Sequence, residues 1–187
     1  MPNATSAPIQ DAALITGILE RTLQDLGAVM GREIQLTTPA VERASSRPAG
    51  KGRIHISFKL GLSKDGRPER YGAMLVPLPE AITMACLLLM IPDEALAVRR
   101  EESTLDPALK DALLEIGNMI GGATDAALAG LGAAGWSVRS EGCQGVRPDV
   151  RPAFPYEKGS ELVVGRTSAR MEPFPPFELI LMLPPVD

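Results

Sequence analysis

Apolar residues recur at helical spacing over 11–30, where Leu14, Ile15, Ile18, Leu19, Leu26 and Val29 return every third or fourth position. This predicts a long amphipathic helix, ended by Gly31. Residues 33–37 alternate as a short strand. Residues 38–50 hold Pro39, Ser45, Ser46 and Pro48 and read as a loop. Over 53–60 the period changes to two, with Ile54, Ile56, Phe58 and Leu60 on one face and His55 on the other, polar and exposed. Ser63-Lys64-Asp65-Gly66 supplies a turn and 71–76 returns, so a hairpin is predicted. One buried face and one wet face imply an antiparallel sheet. A helix over 79–89 starts at Pro79 and stops before Pro92. Asp106 is a natural N-cap and Pro107 fits the first helical position, opening a helix that runs to about 131. Residues 136–139, 161–166 and 177–183 read as strands. Eight of the 17 prolines fall from Pro148 onward, where they suit edges and turns. The predicted fold class is α+β: an antiparallel sheet with three main helices packed on one face.

Length and composition narrow the picture. A chain of 187 residues suits one domain, read here as 9–187 behind a loose leader over 1–8. Hydrophobic residues are 45%, enough for a core without staples. A formal charge of −4 argues against binding duplex DNA through its phosphates, and 4% aromatics argue against a base-stacking platform, so no nucleic-acid partner is expected. The single histidine, His55, excludes a multi-histidine metal site. Two cysteines cannot form a disulfide framework: Cys86 reads as a small buried hydrophobe and Cys143 as a free thiol in a loop. No secretory signal is visible, and the longest apolar run, 81–91, is too short to span a bilayer. The expectation is a cytoplasmic protein with no membrane and no metal site.

Chemistry concentrates on the long helix. Asp111, Glu115, Asn118 and Gly122 follow one another at steps of four, three and four, which puts them on one face. Leu113, Ile116, Ile120, Ala123 and Ala127 form a second face that can pack on the sheet. Gly121 and Gly122 are poor helix formers, and so is an internal asparagine, so these residues are kept at some cost. Their use is room: another backbone or a partner protein can come close beside Asn118. Spacing alone leaves two readings open, a functional face or a solvated acidic face with glycines for helix packing.

The segment Asp111-Ala-Leu-Leu-Glu115-Ile-Gly-Asn118-Met-Ile-Gly-Gly resembles the signature helix of the CheC/CheX/FliY phosphatases of bacterial chemotaxis, an acidic residue or serine, three residues, a glutamate, two residues and an asparagine. The order of elements from about 11 to 183 is similar too. The resemblance implies hydrolysis of the aspartyl phosphate of a phosphorylated receiver domain such as phospho-CheY. It implies that Asn118 orients the attacking water and that Glu115 docks against the receiver's lysine, as the catalytic pair. Asp111, Gly121 and Gly122 become partner-binding positions. No cofactor is expected on this chain, because Mg2+ belongs to the receiver. A second motif on the first helix is lacking: Glu20 is present, but Leu23 stands where an asparagine is needed. One site per chain is closer to CheX, and with it comes an expected homodimer. A proline that the family pattern places beyond the asparagine is missing from 139–144, and the next is Pro148, so an altered loop is expected there. That departure keeps a second function in view, a noncatalytic adaptor of the same fold that binds a receiver domain or a flagellar switch component.

One competing motif is set aside. Gly130-Leu-Gly132-Ala-Ala-Gly135 matches G-x-G-x-x-G, but it follows a predicted helix and precedes a strand, the reverse of a dinucleotide site.

Overall fold

The structure, a computed structural model, describes residues 10–67 and 69–186, so the leader over 1–8 lies outside the described residues. Its elements are α1 (Asp11–Met30), β1 (Gln35–Leu36), β2 (Ala40–Ala44), β3 (His55–Lys64), β4 (Arg70–Pro77), α2 (Leu78–Leu88), α3 (Asp93–Arg99), α4 (Pro107–Gly130), β5 (Trp136–Val146), β6 (Leu162–Arg170) and β7 (Phe177–Leu183). The α+β reading holds. One antiparallel sheet runs in the order β1-β6-β7-β4-β3-β5, with β2 also paired to β6.

Helices α1, α2 and α4 share one face of this sheet. The apolar stripe of α1 is buried through Leu14, Ile15, Ile18, Leu19, Leu23 and Leu26. It packs on β6 and α4, and Gly165 of β6 makes the close approach possible, since a Cβ there would run into Ile15. Helix α2 is largely apolar because it is largely buried: Ala81, Ile82, Ala85 and Cys86 are fully covered, and its polar Glu80 and Thr83 are covered too. Strands β3 and β7 send Ile56, Phe58, Leu60, Leu62, Leu179, Leu181 and Leu183 into this same core.

The opposite face is not wet, and this corrects the expectation. Ala73, Leu75, Leu162, Val164, Ile180 and Met182 form a second core, closed by Phe154 and flanked by Tyr156 from the irregular segment after β5. Arg47 stacks between these two rings and donates to the Phe154 carbonyl at 2.9 Å. His55, expected in solvent, is 3% exposed under Gly50, and its Nδ1–H donates to the Arg53 carbonyl at 2.9 Å. Alternation showed which residues share a face; it did not show that a loop covers that face.

Three further differences have local causes. The stretch 38–50 contains strand β2, which pairs with β6 at the sheet edge. Its sequence, Ala-Val-Glu-Arg-Ala, lacks a clear apolar alternation because two of its five residues are charged and serve the edge: Arg43 bonds Asp11 at 2.6 Å and Glu161 at 3.0 Å. The short α3 follows Pro92 and is too brief to show periodicity. The expected altered loop over 139–144 is strand: β5 continues to Val146, so Cys143 is a half-buried strand residue rather than a loop thiol. A bulge accounts for the irregular pattern. Phe58 pairs with Cys143 and Leu60 with Ser140, so Lys59 faces two residues, and Gly142 takes φ 86° there.

Candidate functional site on helix α4

Helix α4 begins where its cap dictates. The Asp106 carboxylate accepts from Leu109 N–H at 2.8 Å and Pro107 follows at the first position. That bond, helped by Arg99, holds the Asp106 carboxyl below its ordinary range. Leu109, Leu113, Ile116, Ile120 and Leu128 face the core. On the flank toward β5, Gly117 and Gly121 let the helix sit almost on the strand. A Cβ on Gly117 would stand 3.1 Å from Ser140 Oγ and 3.4 Å from Phe58; one on Gly121 would stand 2.8 Å from the Ser140 nitrogen. One turn further, Asp125 accepts from Val138 N–H at 2.8 Å and fixes the register.

This seating leaves one face of α4 outward. Asp111, Leu114, Glu115, Asn118 and Gly122 are all exposed, while Ala112, Ile116, Gly117 and Gly121 are buried. The sequence placed Asp111, Glu115, Asn118 and Gly122 together, and the structure brings them together on that face. It separates Gly121 from them. Gly121 faces β5 and is covered, so it serves helix packing and has no surface for a partner. Gly122 is open: among the described residues nothing outside its own stretch of helix lies within 4 Å of an added Cβ. No hydrogen bond or ion pair engages Asp111, Glu115 or Asn118 among the described residues, although neighbouring acids are taken: Arg99 holds Glu102 and Asp106, and Arg100 holds Glu80. A carboxylate, a second carboxylate one turn on and a neutral amide thus stand in solvent on a rigid helix. The carboxylates can meet cations, and the amide can both donate to and accept from a water.

Leu114 is the residue that pattern reading missed. It lies between Asp111 and Asn118 at steps of three and four and is 44% exposed. Its spacing carried the signal, because steps of three and four from Asp111 and Asn118 put it on their face rather than on the buried one.

The rest of the surface offers less. On α1, Glu20 is exposed but Leu23 is 1% exposed, so the place an asparagine would take is filled by core. The glycine motif sits in the turn between α4 and β5, with Gly132 at φ 78° and Gly135 at φ 79°. A cavity of about 710 Å³ lies by the β3–β4 turn, lined by Tyr71, Trp136 and Tyr156, and no α4 residue lines it. Among the described residues no cluster of three or more histidine, cysteine or acidic side chains is placed to hold a metal ion. No helix among them is long and apolar enough to cross a membrane.

The sequence matches no protein-family model, and no curated protein matches it. Solved structures do resemble it. FliY from Thermotoga maritima superposes with a TM-score of 0.66 at 14% identity, over 96% of this chain and 92% of that one. The chemotaxis protein CheX from Desulfovibrio desulfuricans gives 0.56 at 15%, over 90% and 96%. A FliG–FliM complex from H. pylori gives 0.64 at 10%, over 94% and 91%. At such identities the likeness speaks for architecture, and the chain therefore has the fold shared by CheX, FliY and FliM.

Proposed function

We propose that this chain is a phosphatase for the aspartyl phosphate of a response-regulator receiver domain of the phospho-CheY kind, acting in chemotaxis or a related two-component pathway. The observation that carries this is the outward face of α4, where no hydrogen bond or ion pair from the described residues engages Asp111, Glu115 or Asn118, in a fold shared with CheX. An aspartyl phosphate is already labile, and its receiver supplies the Mg2+ and a lysine. What a second protein can add is an ordered water in line with phosphorus. The Asn118 carboxamide suits this, since its oxygen accepts from water without bringing negative charge toward the phosphoryl group. The water oxygen bonds to phosphorus, the acyl–phosphate bond breaks, and the receiver regains its carboxylate as inorganic phosphate leaves. Glu115, one turn earlier, pairs with the receiver's lysine and sets the pose. Asp111 lies a further turn away, at the margin of the contact.

The test is loss of phosphate from phosphorylated receivers with wild type, Asn118→Ala and Glu115→Ala, each checked for folding. Acceleration by wild type that Asn118→Ala abolishes supports the reading. Full activity in Asn118→Ala overturns the assignment.

A second reading is an adaptor that binds a receiver or a flagellar switch component without turnover. The FliG–FliM complex among the structural relatives favours it. Binding without acceleration by wild type would select it.

A further inference from the structure

We infer that Leu114 is the apolar anchor of the receiver-docking face and sets the affinity for the phosphorylated partner; this rests on the phosphatase reading above. Single exposed leucines are ordinary and mean little by themselves. Leu114 differs in its neighbours. Among the exposed large hydrophobic residues it is the one carried by α4. It stands one turn after Asp111 and one turn before Asn118, beside Glu115. The two carboxylates have no cation of their own among the described residues, so the face is complementary to a cationic surface. Charge at an exposed rim mainly steers encounter and fixes orientation, while desolvated apolar contacts near the centre carry affinity. A face of two acids, one leucine and one amide therefore fits a receiver surface that offers a lysine beside an apolar depression. Leu114 would fill that depression. It would touch neither the phosphoryl group nor the water, which makes it a specificity residue and not a catalytic one.

The experiment uses the full chain and receiver domains from the same genome, activated with beryllofluoride for binding and phosphorylated for turnover. Leu114→Ala should weaken binding and raise KM about tenfold, with kcat within twofold. Leu114→Met, which keeps apolar volume, should bind within twofold of wild type. Asn118→Ala should bind as wild type does while losing turnover. Wild-type affinity in Leu114→Ala overturns the inference and leaves the phosphatase reading standing. Binding that depends on Leu114, with no turnover by wild type, overturns the phosphatase reading and keeps the anchor. A wild type that binds no activated receiver overturns both.

Discussion

Gly121 of α4 and Ser140 of β5 meet so closely that a Cβ on the glycine would lie 2.8 Å from the serine nitrogen. This contact, repeated one turn earlier where Gly117 meets Ser140 Oγ, seats the helix on the edge strand and turns Asn118 to solvent. Adjacent glycines on one helix thereby have opposite fates. The first is a structural requirement of the helix–strand contact, and the second is bare surface.

Gly121→Ala should therefore destabilise the protein by about 1–3 kcal/mol, the usual cost of overpacking against backbone that cannot yield. Gly122→Ala should stabilise it by up to about 1 kcal/mol, because alanine is the better helix former and its methyl meets nothing. Denaturant midpoints of the two variants, with unchanged slopes, check this. Equal effects would mean that the helix does not sit on β5 as described.

The sequence told α1, α4 and β7 plainly. Helix α1 has an unbroken apolar stripe and a terminal glycine at φ 63°, and α4 has an N-cap that forms the expected bond. The outward stripe of Asp111, Glu115 and Asn118 was legible for the same reason, since helical spacing fixes which side chains share a face. Strand β2 was hidden because an edge strand pairs on one side and keeps charged residues. The far half of β5 was hidden by a bulge that shifts alternation by one residue. The role of Gly121 was hidden because helical spacing put Gly122 with Asp111, Glu115 and Asn118 but could not say that β5 lies against its neighbour. His55 was misread because its cover, Gly50, comes from a neighbouring loop.

That cover has a consequence in pH. Burial lowers the His55 pKa below its ordinary 6.5, with the Arg53 carbonyl opposing in part. The unfolded chain therefore takes up a proton at higher pH than the folded one. Stability should be constant well above pH 6.5, fall as the pH drops below that value, and level off once the folded state also protonates. His55→Gln should flatten the change in that window without altering other parts of the profile. Urea midpoints measured from pH 8 to pH 5 decide it; a stability that rises as pH falls toward 5 would contradict the buried neutral imidazole.

The buried ion pair between α2 and the end of α3 carries a separate prediction. Arg100 bonds Glu80 at 2.7 Å and Thr83 at 2.8 Å, and its guanidinium lies 4.1 Å from the Phe174 ring centre. The Glu80 side chain is 4% exposed and that of Arg100 is 12% exposed. Removing one partner strands the other charge away from water, so Glu80→Ala should cost about 3 kcal/mol. Replacing both with apolar residues should cost less than the single change. A double-mutant cycle in thermal or chemical unfolding measures the coupling, and a coupling near zero would show the pair to be solvated.

Gly122 also offers a probe of docking that leaves the reacting groups untouched. It lies one turn beyond Asn118 on the outward face, and among the described residues nothing outside its own stretch of helix stands within 4 Å of a Cβ placed there. Gly122→Gln should fold normally, since a long side chain at that point extends into solvent and glutamine suits a helix. It should nevertheless obstruct any protein that lies along the face to reach Asn118. The expected outcome is an unchanged or raised unfolding midpoint together with at least a tenfold loss of kcat/KM on a phosphorylated receiver, while Gly122→Ala keeps most activity. Both effects in one variant would separate surface from scaffold. A glutamine variant with wild-type turnover would place the partner elsewhere on the molecule, even if Asn118 itself proved necessary.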